Sequence, residues 1–117
     1  MDEELFGSVE RAKDRNSRGF QRFTANFHLC KAFLRYFSVK NGNSFNSAKV
    51  SEKFPLDVTT AGTCLGVLED LEIVESRTSS STNRYMADSV DLDRLEDVEK
   101  VLRENQEIKA FSPEESS

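Results

Sequence analysis

Two groups of side chains in this 117-residue chain could act together. Thr59, Thr60 and Thr63 bunch at the start of an apolar-periodic stretch. Arg77 and Arg84 bracket a polar run, Thr78-Ser79-Ser80-Ser81-Thr82-Asn83. Guanidinium groups and hydroxyls such as that of Ser80 both bind phosphate oxygens. Threonine also hydrogen-bonds several base edges and can meet the thymine methyl, but it lacks the fork that arginine presents to guanine. The chemistry on offer is anion binding with mild base-edge recognition. Catalysis has little to build on: there is no Ser/His/Asp set, no phosphate loop and no HExxH-type motif. His28 is the single histidine, and no local cysteine cluster joins it, so neither a metal site nor a cofactor is expected. The expectation is a protein that is not an enzyme.

Helical periods explain how these groups are positioned. Phe20, Phe23, Phe27, Cys30, Leu34 and Phe37 recur every three or four residues, which predicts one helix over 20–40. Leu29, Phe33 and Tyr36 widen its apolar face, so it needs cover on two sides. Asn41-Gly42-Asn43 suits a helix stop, and Ser44-Phe45 suits a very short strand. Asn46 or Ser47 can cap a helix over 47–54, which Pro55 stops. Lys49 and Lys53 fall on its outer face. Asp57 or Thr59 caps the next helix, which runs to about Leu71, with Ala61, Cys64, Leu65, Leu68 and Leu71 inward and the three threonines outward. Gly62 and Gly66 leave a small-residue groove, for close approach to a DNA backbone or for packing inside the domain. Ile73, Val74 and Glu75 open a strand, and Arg84-Tyr85-Met86-Ala87 returns as its partner across the polar run. Asp91 can cap a helix over 92–107, whose stripe is Leu92, Leu95, Val98, Val101 and Leu102.

Composition sets the bounds. The length fits a single domain, and no apolar run reaches the ~20 residues of a membrane span. The N-terminal run MDEELFGSVERAKDR is too charged for a secretory signal. Cys30 and Cys64 lie in apolar patterns and read as buried, reduced thiols; redox sensing would need exposure and a lowered pKa. A cytoplasmic protein is expected. The net charge of −5 hides an asymmetry: residues 1–56 carry ten basic and six acidic side chains, residues 57–117 six and fifteen. Different surfaces facing different partners would produce such a split. Arg11, Arg15 and Arg18, with Lys13 and Arg22 close by, read either as a basic arm or basic helix end able to touch a DNA backbone, or as a solvated, partly disordered leader.

The VTTAGTCLGVLEDLEIVE segment and the RTSSSTNRYMA hairpin resemble the winged helix-turn-helix domains of small prokaryotic and archaeal transcription regulators, the broad MarR, ArsR and PadR group. The resemblance covers residues 23–87. Its carriers are a helix ending Leu-x-x-Leu, a short apolar strand and a wing ending Arg-Tyr. Those regulators carry glycine just after the final leucine; this chain has Glu72, which either takes a left-handed conformation or ends the helix differently. The acid-rich composition is similar to that of regulators from halophilic archaea. The resemblance implies a mainly α fold with a small β-hairpin (α+β), a recognition helix in the major groove and a wing on the flanking backbone. It also implies a homodimer on double-stranded DNA.

The expected division is a basic arm (1–19), a winged helix-turn-helix domain (20–88), a C-terminal dimerisation helix (89–110) and a disordered tail (111–117). The expected DNA-binding residues are Lys49, Lys53, Thr59, Thr60, Thr63, Arg77, Ser80 and Arg84, with Arg11, Arg15 and Arg18 on the backbone. No small-molecule effector is read from the sequence. The competing expectation is a winged-helix module that binds protein instead of DNA.

Overall fold

A computed structural model describes residues 3–39, 44–79 and 82–105. The chain is mainly α-helical with one small antiparallel sheet. Helices α1 (Glu3–Arg15), α2 (Ser17–Ala25) and α3 (Phe27–Ser38) precede strand β1 (Ser44–Phe45). Helices α4 (Ser47–Lys53) and α5 (Val58–Asp70) follow. The chain continues through β2 (Ser76–Ser79), β3 (Thr82–Met86), a short 3-10 turn and α6 (Leu92–Glu104). The sheet order is β1-β3-β2, so the earliest strand pairs with the last.

Asparagine and aspartate punctuate the helices. Asn16 accepts from the Gly19 amide at 3.0 Å, Asn46 from the Lys49 amide at 2.9 Å, and Asp91 from the Arg94 amide at 3.0 Å. Each satisfies an orphan donor of a first helical turn. The single helix expected over 20–40 is broken at Asn26. Its side-chain amide donates to the Arg22 carbonyl at 2.9 Å, competing with the backbone ladder. The break redirects the phenylalanine stripe, and Phe20, Phe23 and Phe27 still meet as tilted and edge-on rings.

Of the two readings of the N-terminal basic segment, an arm or a basic helix end, the structure shows the helix end, with Lys13 and Arg15 in the last turn. The segment forms α1, whose Leu5, Val9 and Ala12 are buried and which packs on α2 and α6. Three apolar positions one turn apart are enough to dock a helix that reads as polar. The stripe of α6 likewise turns inward: Leu95, Val98, Val101 and Leu102 are buried in the core shared with α1 and α3. The face expected to pair two chains is therefore occupied within one.

Helix α5 leaves by a left-handed residue. The Ile73 amide donates to the Leu68 carbonyl and the Glu72 amide to the Glu69 carbonyl, both at 2.9 Å. Glu72 carries φ of 62°. This is the glycine-type helix ending, built on glutamate. It moves the expected strand start: Ile73 and Val74 are core residues in the bend, and β2 begins at Ser76. The ladder pairs Thr78 with Asn83 and Ser79 with Thr82, so most of the run expected as a turn is strand. Ser80 and Ser81, the helix stop at 41–43 and the tail 111–117 lie outside the described residues.

Rings join the sheet to the helices. Phe37 stacks on Phe45 with centroids 4.7 Å apart, and Phe45 meets Tyr85 across the β1–β3 pair. Phe54, at the end of α4, packs on Phe33 and Tyr36 of α3. Among the described residues, no helix is long and apolar enough to cross a membrane.

Candidate nucleic-acid interface

Helix α5 is central to the candidate surface. Its inward face, Ala61, Cys64, Leu65 and Leu68, is fully buried as the periodicity predicts. Helix α4 packs along it, and Gly62 is where they meet: a Cβ there would sit 3.7 Å from Ser47. Gly66 faces open space, with nothing within 4 Å of a Cβ. The small-residue groove thus splits, with one glycine at a helix contact and the other on the outside.

The threonines differ in what they can offer. Thr59 is exposed; Thr60 and Thr63 are half-buried. The Thr63 hydroxyl donates to the Thr59 carbonyl at 3.0 Å, so it presents a partner with lone pairs and a methyl group but no free proton. Thr60 is turned to Asp57. Its hydroxyl holds the Asp57 carboxylate below the usual carboxylate range, and the nearby Arg22 guanidinium assists. Of the three, Thr59 is the most available.

The lysines and arginines are spread around α5. Lys49 and Lys53 are both exposed on α4. The Lys49 ammonium donates to the Ser44 carbonyl at 3.2 Å, which fixes its stem beside β1. In the hairpin the register sets Arg77 directly opposite Arg84, and Arg84 is exposed. Ser80, expected at the tip, lies outside the described residues.

The N-terminal arginines are not on a free arm. Arg11 donates to the Ser8 hydroxyl within α1 at 3.2 Å. Arg15 pairs with Asp70 at the far end of α5 at 2.9 Å. Arg18 is exposed in the first turn of α2. Sequence reasoning grouped Arg22 with the N-terminal arginines and did not place it beside α5. Helix α2 lies on α5, and the Arg22 charge acts on both Asp57 and Cys64. No spacing rule links residue 22 to residue 57; only the tertiary packing does.

Charge is graded along α5. At its start the Arg22 charge acts on Asp57, and α4, which packs on α5, carries the exposed Lys49 and Lys53. The end of α5 carries Glu69 and Asp70 and runs into Glu72. There the Glu69 carboxylate accepts from the Ser76 hydroxyl. Glu69, Glu72, Glu75 and Asp88 line an open cleft of about 560 Å³. A polyanion would approach the first turns of α5 and be repelled from its last. The α5 exit is also clamped: Arg94 of α6 donates to the Leu71 carbonyl at 2.6 Å, placing a cation at a helix C-terminus. Among the described residues, no group of three or more His, Cys, Asp or Glu side chains gathers where it could hold a metal.

Comparisons with protein-family models, curated proteins and solved structures return no match.

Proposed function

We propose that this chain is a winged helix-turn-helix protein that binds double-stranded DNA and regulates transcription. The observation that carries the reading is connectivity. Helix α3, strand β1, helices α4 and α5 and the β2–β3 hairpin follow in the order such domains use, with β1 returning to pair with β3. In this reading α5 lies in the major groove and the hairpin meets the flanking backbone. The mild chemistry of Thr59 and Thr63 makes direct base reading limited, with shape and phosphate contacts carrying more of the discrimination. Lys49, Lys53, Arg77 and Arg84 are the phosphate contacts, with Arg22 added.

The deciding experiment is selection of bound DNA from a random pool at several salt concentrations. Recovery of a site supports the reading, and the salt slope counts phosphate contacts. A palindromic site indicates two copies, and their contact must then lie outside the buried stripe of α6. The double variant Arg77→Ala/Arg84→Ala should bind more weakly at matched salt, with a slope lowered by about 1 for each phosphate partner removed.

A second reading is favoured by the acidic end of α5 and the cleft beside it. There the same fold serves as a protein-interaction module, and the acidic net charge is no handicap. Absence of DNA binding at low salt, together with co-purification of a larger partner, would select it.

A further inference from the structure

Among the described residues, Phe6, Val39 and Val58 are the large apolar side chains left exposed. A single exposed apolar residue is ordinary. Val58 differs by its place. It is the first residue of α5 and is 51% exposed, between the exposed Asp57 and Thr59. A β-branched side chain occupies few rotamers, so little side-chain freedom is lost when a partner covers it.

The groups near Val58 narrow the chemistry of that partner. The Thr63 hydroxyl has given its proton to the Thr59 carbonyl at 3.0 Å, so it offers an accepting oxygen and a methyl group. The Asp57 carboxylate only accepts. The Thr59 hydroxyl is left to donate. The first turns of α5 are therefore rich in methyl groups and acceptors and poor in donors. Guanine shows two acceptors in the major groove, N7 and O6, which call for donors. Cytosine offers an N4 donor and no methyl group. A thymine–adenine pair offers the C5-methyl group together with the adenine N6 donor, and it is the pair that matches.

We infer that Val58 is a specificity-determining residue, which packs on the C5-methyl group of a thymine and so selects a thymine–adenine pair at one position of a double-stranded DNA site. The inference rests on the reading of α5 as the helix that enters the major groove, where side chains of the first turn meet base edges. One buried methyl group changes affinity by roughly fourfold. A contact of that size discriminates between bases without an arginine fork, in keeping with the limited base reading that the threonines allow.

The test uses the full chain and the duplexes it recovers from a random pool at low salt. In the tightest-binding duplex each thymine is replaced in turn by deoxyuridine, which removes the C5-methyl group and leaves every hydrogen-bonding group in place. Wild type should lose roughly fourfold in affinity at one thymine for each bound copy. Val58→Ala should bind the unmodified duplex more weakly by a similar factor and show no further loss with deoxyuridine at that thymine. Its salt slope should equal that of wild type, because no phosphate contact is removed. Val58→Ile keeps the branched apolar surface and should keep the deoxyuridine penalty. Position 58 is exposed and alanine is the better helix former, so Val58→Ala should melt no lower than wild type. Recovery of no duplex overturns this inference and the DNA-binding reading together. A recovered duplex that tolerates deoxyuridine at every thymine, or a penalty that persists unchanged in Val58→Ala, overturns the inference and leaves the DNA-binding reading standing.

Discussion

Replacing Glu72 with glycine should make this protein more stable. Glu72 holds φ of 62° at the exit of α5, where a side chain costs roughly 1–2 kcal/mol relative to a right-handed residue. Glycine removes that strain but adds freedom to the unfolded chain, which returns roughly 0.4–1 kcal/mol. The glutamate side chain itself contributes little. Its side chain is 79% exposed and its carboxylate approaches Arg94 at 3.9 Å, an ion pair that stabilises by at most about a few tenths of a kcal/mol. The net gain is about 0.5–1 kcal/mol. With an unfolding entropy of roughly 0.2 kcal/mol/K for a domain of about 100 ordered residues, the thermal midpoint rises by ~2–5 °C. Circular-dichroism melts of wild type, Glu72→Gly and Glu72→Ala provide the assay. Alanine keeps the strained conformation and should lie near wild type. If glycine is no more stable than alanine, the left-handed residue at the α5 exit is not under strain and the reasoning fails.

Two other glycines should respond in opposite directions. Gly66→Ala adds a methyl into open space within a helix, for a gain of about 1 kcal/mol. In Gly19→Ala the new Cβ falls 2.4 Å from the Asn16 side chain; the cap is expelled, and urea unfolding should show no gain or a loss of up to about 1 kcal/mol. Arg94→Ala leaves the Leu71 carbonyl without its charged donor and should cost about 1–2 kcal/mol, with amide exchange accelerating first at the end of α5. For Asp57 the sign is set by its lowered folded pKa. The stabilisation from its Thr60 and Arg22 partners is complete above the ordinary carboxylate value of 3.8 and fades as pH falls through the lower folded value. An acid titration of Asp57→Asn against wild type should show the difference between them shrinking over that range.

The caps at Asn46 and Asp91, the Pro55 stop and the inward face of α5 were legible in the sequence because each is local. A capping side chain and its amide sit three residues apart, and a helical stripe recurs within one segment. The break at Asn26 was hidden by apolar residues that keep helical spacing on both sides of it. Helix α1 was hidden because Leu5, Val9 and Ala12 are a thin stripe among charges, and its docking depends on α6, far along the chain. The left-handed turn at Glu72 was visible only as one of two alternatives; the Ile73 and Glu72 amide bonds decide between them. Arg22 could not be placed beside α5 without knowing how α2 crosses it.

The packing of α1 on α6 has a consequence for the way the chain is made. The first described helix rests on the last, so the buried face of α1 is not fully covered until α6 has left the ribosome. At ordinary elongation rates that delay is roughly 5–20 s, over which the central helices and hairpin are completed while one apolar face stays open. A nascent chain halted before α6 should therefore present a sticky, chaperone-binding surface on its earliest helix. The surface closes only once α6 has emerged to cover it.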